Sequence, residues 1–588
     1  MASIDILLLP GAWRAADLWP QVARSTQDWL TQQQLPARDA VLLLPFVGLL
    51  APARAAFAAL GGWQPRVETT LTLAAALGPP LAAEPGTCQG DNTHDRLTAG
   101  ALLRRQTWGA AWEQRDTPGF ARITALVVDA GQALREGAAA RAPENRVVYW
   151  AEARAAAPLA SGPAATEALL LRVALEWAAA GSMLPSDRLF DACPAAWITV
   201  QIGGPDALPE ALLGHAGIPS LRLVADPPAE QPWPPPQACA EVERVLCDDF
   251  EAEAQAAAAE VISALNAGRA PVALVALDRS SLRRIRALLE RARVPVIDET
   301  GWLLATTRAA AAVVALLRAA TPDAGRDAGL DWLKTWPLAP APALDALEAE
   351  WRGRRHVIAT EAGHRLWAEA QAHLEPLRKP ARQPLSAWLD TLQELLAREG
   401  SFDRLGADPA GAQVLAALGL KATSPPAWRT AAAELRVDLY GFLAWVEATL
   451  EATPYLPPPD PGAQVVLMPL ARAFGRPFGQ VVMPGADALH LGAIETPPSL
   501  IPHALAAALG LDDAERRRTR QRLALSQLLR ARHVTLLRRR RDDDEPLADS
   551  PDVEWLCLAR AAVASASAGR GSGTGGPSAA GGAAQPTH

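Results

Sequence analysis

Between residues 248 and 298 the chain alternates in a way that few architectures accommodate. Asp248–Asn266 has helical spacing with acidic residues in its first turn and ends at Gly268. Val272–Leu277 is a short unbroken apolar run, Arg279–Arg293 a basic amphipathic helix, and Val294–Asp298 a second apolar run. A short apolar run without alternation is how a strand reads when both of its faces are covered. Strands separated by helices need the crossovers of a parallel sheet. The same pattern recurs earlier: Ile4–Leu9, Val41–Pro45, Trp197–Gly203 and Ser220–Val224 read as strands, with a helix over Pro52–Leu60. Strand character returns at Val465–Met468 and Gln480–Met483. The expectation is an α/β chain built on doubly wound parallel sheets.

Other stretches divide this pattern. Asp95–Leu175 is rich in Ala, Arg and Glu with apolar residues at helical spacing. Residues 226–238, with Asp226-Pro-Pro and Pro232-Trp-Pro-Pro-Pro236, form the best linker, and residues 305–460 read as a helical insertion broken by prolines. Ala561–His588 is Ala/Gly/Ser-rich and reads as a flexible tail. At about 100–200 residues per domain, 588 residues make a multi-domain chain, and a content of 50% apolar residues supplies large cores. No run of about 18 apolar residues predicts a membrane span. The apolar Ile4–Pro10 is too short, and lacks the basic flank, for a signal peptide. The five cysteines show no CxxC spacing, which points to a reducing cytoplasm and away from structural zinc.

The net charge of −8 does not by itself suggest a nucleic-acid binder, but basic charge is concentrated late. Only Lys334, Lys379 and Lys421 accompany 53 arginines, and eleven arginines lie between Glu515 and Arg541. The 19 tryptophans could stack on bases, yet most sit among apolar neighbours and read as core, including those of the 305–460 region.

Missing motifs constrain the chemistry further. A P-loop needs Gly-Lys-Ser/Thr to cradle phosphates, and none of the three lysines follows a glycine. A PD-(D/E)xK nuclease needs a carboxylate two residues before a lysine, and no lysine here has one. HExxH and GxSxG do not occur. Gly571-Ser-Gly573-Thr-Gly-Gly576 fits GxGxxG in letters but follows no strand and opens no helix. Asp542–Glu545 could bind a cation, but it reads as a solvated turn after four arginines. His490 and Asp487 could form a catalytic pair; a loop contact is the simpler reading.

The order of segments resembles AddB-type proteins, the helicase/deoxyribonuclease B subunits of bacterial double-strand break repair. The early part of the likeness rests on Val41–Pro45 followed by a helix and Trp63-Gln-Pro-Arg-Val67, and on Pro194–Trp197 with Gln201-Ile-Gly-Gly204. More distinct are Val272–Arg279, Val294–Thr300, Gly301-Trp-Leu-Leu304 and Thr307, which resemble the opening of the second RecA-like domain of superfamily-one helicases. Leu333-Lys-Thr-Trp-Pro337-Leu338 matches the segment that follows. Ala473–Asp487 is similar to a helicase motif read as Ala-Lys-Gly-x-x-Phe-x-x-Val-Val, with Phe474 replacing its basic residue. Pro498–Leu511 and Arg522–Arg532 resemble the later Thr-Arg-Ala-Arg region, with Leu529 for the threonine and Arg530 for the arginine that reaches the γ-phosphate in active members. The likeness covers roughly residues 40–560.

This resemblance implies two RecA-like (P-loop NTPase-type) domains with helical insertions but no intact P-loop. The expected division is 1–230, a degenerate first domain with a helical insertion; 231–240, a linker; 241–330 and 463–560, the two parts of a second domain; 331–462, a helical insertion; and 561–588, the tail. The family's ATP, magnesium and iron–sulfur cluster are expected to be lost with their motifs, leaving no catalytic, cofactor or metal residues. What the resemblance leaves is a DNA grip, with Arg472, Arg476, Arg530 and Arg532 as candidate contacts to a single strand or duplex end, and a partner of the AddA helicase–nuclease type. The alternatives are an ATP-dependent exonuclease subunit whose nuclease domain lies beyond this chain, and an α/β scaffold without nucleic acid.

Overall fold

The structure is a computed structural model that describes residues 4–9, 15–78, 84, 86–158, 162, 164–181, 183–226, 241–337, 339–353, 361–379, 381–420, 428–492 and 499–559. The expected linker at 231–240, the tail at 561–588 and its glycine pattern lie outside the described residues. The class is α/β, with two all-parallel sheets. The first comprises β1 (Ile4–Leu8), β2 (Ala40–Leu43), β3 (Arg66–Glu68), β4 (Ala196–Gln201) and β5 (Ser220–Val224), in the order β1-β5-β4-β2-β3. The second comprises β6 (Glu241–Cys247), β7 (Val272–Ala276), β8 (Val296–Asp298), β9 (Val465–Pro469), β10 (Gln480–Met483) and β11 (His533–Arg539). Their order is β6-β11-β10-β7-β9-β8.

The strand period of two assigns successive side chains to opposite faces. In β7, Val272 and Leu274 turn to one layer while Ala273 and Val275 turn to the other. The first layer packs on helices Phe250–Asn266 and Arg279–Arg291, through Ala257 and Val261 of one and Leu282, Ile285 and Leu289 of the other. The Arg279–Arg291 helix starts where the Asp278 carboxylate accepts the amides of Ser280 and Ser281, an N-cap that satisfies two otherwise free donors. In the first sheet, Val41, Leu43 and Trp197 face Leu189, Phe190 and Leu212, while Leu42, Ile198 and Leu221 face the opposite way.

The two inward faces meet in one continuous apolar core, which also takes in Leu18, Trp19 and Val22 of helix Ala15–Gln32 and Ala524, Leu525 and Leu528 of helix Ala514–Leu528. Two helical bodies have cores of their own. One gathers residues 88–184 together with Leu500, Leu505 and Leu509 from late in the chain. The other spans Leu304–Leu450, where Trp332 and Trp388 are buried as core.

Four strands of the two parallel sheets depart from the sequence reading, β3 among them: Arg66–Glu68 has one apolar side chain in three residues and does not read as an apolar run. Ile4–Leu8 forms, but Ile6 is 59% and Leu8 67% exposed: among the described residues β1 pairs with β5 alone, at the edge of the sheet, so it is not a buried strand. Strands β6 and β11 escape the search for apolar runs because charged residues are threaded through them, among them Glu243, Arg244, Arg538 and Arg539. No helix among the described residues is long and apolar enough to cross a membrane.

Candidate nucleic-acid interface

Where the two sheets meet, the loops after β2, β4 and β5 approach the connection between β9 and β10. Beyond β4 the chain turns on Gly203 and Gly204, both with positive φ, which sets their two amides toward a single acceptor. Both amides donate to one carboxylate: Gly203 to Asp226 Oδ1 at 2.7 Å and Gly204 to Oδ2 at 2.8 Å. Gln527 adds a donor at 3.4 Å, and the Arg530 guanidinium lies within electrostatic reach. Burial pushes the Asp226 carboxyl above its ordinary range, and the amides and glutamine pull it back. Burial likewise lowers Arg530, against the pull of Asp226. Successive amides aimed at one anion are a phosphate-binding geometry, and here the protein's own carboxylate occupies it.

Beside this carboxylate, Phe474 closes the seam. Its ring meets Phe46 edge-on, with centroids 5.4 Å apart, and lies so near Gly203 that a Cβ there would be 2.3 Å from the ring. Gly475, at φ +69°, fits against Ile202 and Leu49, and its carbonyl accepts the Trp19 indole N–H at 2.7 Å. The seam is therefore apolar and interlocked at this point.

The four candidate arginines separate into two pairs. Arg476 and Arg530 are drawn into the seam: Arg476 donates to Glu299 at 2.7 Å and lies over the Phe478 ring at 5.1 Å, and Arg530 is half-buried near Asp226. Arg472 and Arg532 are exposed, and neither forms an ion pair among the described residues. The seam does not bring all four onto one open surface.

A second polar centre lies at the carboxyl ends of β6, β11, β10 and β7. Arg539, at the end of β11, faces inward with Thr535 and Leu537 and is 2% exposed. Its Nη1 meets Glu253 and Asp278 at 3.4 Å and the Ser281 hydroxyl at 3.1 Å, and its Nη2 meets Asp542 at 2.9 Å. Glu253 is fully buried and accepts the Gly485 amide at 3.0 Å. Nearby, the buried Asp487 accepts the amides of Leu489 and His490 and the His490 ring nitrogen at 2.8 Å. The His490–Asp487 contact is thus part of a closed loop, as the simpler reading has it. Asp542 belongs to a short hairpin whose tip, Asp543 and Asp544, is exposed.

Neither Asp226 nor the Arg539 network was legible in the sequence. Asp226 reads as the first residue of a proline-rich linker, and Arg539 as one of the four arginines before a solvated turn. Among the described residues no group of three or more His, Cys, Asp or Glu side chains is placed to hold a metal ion.

The His490 contact has a pH signature. Asp487 raises the His490 pKa above its ordinary value of 6.5, against the opposing effect of burial. A raised folded-state pKa contributes stability that is complete below the ordinary histidine range and lost as pH climbs through the folded value. The stability difference between wild type and His490→Gln is expected to be larger at pH 6 than at pH 9 in urea unfolding; a pH-independent difference would contradict the charged pair. A scan against protein-family models finds no match for this sequence, and a search of curated proteins finds none either.

Proposed function

We propose that this chain is a DNA-binding, catalytically inactive helicase-like subunit of an AddAB- or RecBCD-type helicase–nuclease, acting in double-strand break repair and recombination in the cytoplasm. On this reading the two parallel sheets are two RecA-like domains, and an AddA-type subunit supplies the motor. The observation that carries the proposal is the seam. Asp226 sits on two glycine amides near Arg530, and Phe474 stands where the motif it resembles has a basic residue. An internal carboxylate in an anion-binding turn supports a scaffold that retains the two-sheet form without turning over nucleotide. Arg472 and Arg532, exposed and without ion-pair partners among the described residues, are the residues left to engage a phosphate backbone.

Binding of fluorescent single-stranded DNA across a salt series tests this reading. Wild type is expected to bind in the micromolar range, with affinity falling steeply as salt rises and without ATP turnover or cleavage. Arg472→Glu with Arg532→Glu is expected to weaken binding by about tenfold or more and to flatten the salt slope by about 1.4, the release expected from two single-strand phosphate contacts. Unchanged binding in the double variant would remove these arginines from the interface. ATP hydrolysis by the pure chain would overturn the inactive reading.

A further inference from the structure

A second site lies away from the seam, against the outer edge of the second sheet. Helix Arg279–Arg291 presents Arg279, Arg283 and Arg286 at spacings of four and three, which places them on one helix face. That face lines a pocket of about 370 Å³, at the lower end of the range of roughly 300–1,000 Å³ typical of small-molecule sites. The far wall is Asp298, Thr300 and Trp302 from the end of β8 and the turn after it.

The three arginines have different tasks. Arg286 belongs to the wall: it pairs with Glu290 at 2.8 Å and Asp298 at 3.2 Å, and its guanidinium lies 4.3 Å from the Trp302 ring centroid. Arg279 and Arg283 are exposed at the rim and form no ion pair among the described residues. The carboxylates of the lining, Glu290 and Asp298, are met by Arg286, so the two rim arginines leave an excess of positive charge that favours an anion, and the planar guanidinium suits phosphate oxygens.

Trp302 supplies the other half of the recognition. Its indole N–H is engaged by Asp298 at 2.7 Å, and its backbone is pinned by pairing of Trp302–Leu303 with Pro454–Tyr455. The turn that delivers it needs Gly301 at φ +74°. The ring is held in place with one face under the Arg286 guanidinium, and the residue is still 36% exposed, which leaves ring surface on which a base can stack. A fixed aromatic plane beside two free arginines in a pocket of this size matches a flat ring that carries a phosphate. We infer that this pocket binds a nucleoside phosphate, with the base stacked at Trp302 and the phosphate between Arg279 and Arg283. The pocket carries this inference without the seam.

The unit could be a free nucleotide or one residue of a strand, and calorimetry with three probes distinguishes them: inorganic phosphate, thymidine monophosphate and single-stranded tetrathymidylate. Thymidylate, free or within the tetramer, is expected to bind at least about tenfold more tightly than phosphate, because stacking contributes only when a base is present. Tighter binding of the tetramer, beyond its number of units, identifies a strand as the source; equal binding per unit identifies the free nucleotide. Arg279→Ala with Arg283→Ala alters only exposed side chains and is expected to weaken binding by about tenfold. Trp302→Phe should retain binding within about threefold, whereas Trp302→Ala loses it. Phosphate binding as tightly as thymidylate, no binding of either thymidylate probe, or full affinity in the double arginine variant would each overturn the proposal. Loss of pocket binding with retained DNA binding at Arg472 and Arg532 would separate this site from the seam.

Discussion

Arg539→Ala is expected to lower the stability of the second sheet by about 3–5 kcal/mol, the usual loss when one partner of a buried charge pair is removed. Arg539 is the cation at 3.4 Å from both Glu253 and Asp278, and Glu253 has no exposure through which water could replace it. The Gly485 amide, with His490 acting at longer range, would then be left to answer a fully buried carboxylate. Burial already pushes the Glu253 carboxyl upward, so the variant should take up a proton there and lose further stability as pH rises above the ordinary glutamate range. Arg539→Met combined with Glu253→Gln removes both charges and should recover a large part of the loss. Urea unfolding of the three proteins at two pH values measures this. A single variant within about 1 kcal/mol of wild type would mean that the network does not hold the strand ends together.

The second large effect is expected at the seam. Gly203→Ala forces a side chain onto a backbone at φ +81° and places its Cβ 2.3 Å from the Phe474 ring. Left-handed strain and overpacking together predict a loss of about 2–4 kcal/mol. Phe474→Ala opens a void beside Phe46 and should cost about 3–5 kcal/mol. The double variant is the informative one. With the ring gone the new methyl has room, so its cost should fall short of the sum by at least about 1 kcal/mol. Strict additivity would show that Gly203 and Phe474 do not meet in solution.

Strands whose neighbours cover both faces were legible because burial removes the need for polar positions. Val272–Leu277 reads as an apolar run and ends within one residue of the observed β7, and Ser220–Val224 coincides with β5 although Arg222 interrupts its apolar residues. Strands with one charged flank did not, since Glu241–Cys247 and His533–Arg539 look amphipathic or basic when read along the chain. The same limit applies to the site. Asp226 and the Gly203–Gly204 turn are separated by more than twenty residues and meet only because β4 and β5 are neighbours in the first sheet. The four candidate arginines could be named from the sequence. Which two stay exposed depends on Glu299 and Asp226, whose positions only the packed fold provides.

The order of the second sheet has a consequence for how the chain is made. β6, β7 and β8 emerge first, yet none pairs with another: β6 pairs with β11, β7 with β9 and β10, and β8 with β9. Every partner lies beyond residue 464. At ribosomal rates of about 5–20 residues per second, β7 and β8 therefore wait roughly 10–40 seconds for β9, and β6 roughly 15–60 seconds for β11, while the segments between them are synthesised. During that interval their hydrogen-bonding edges and the apolar faces of β7 are open to other chains. A nascent chain of this kind has a built-in need for shielding on the ribosome, set by the order in which its strands are written.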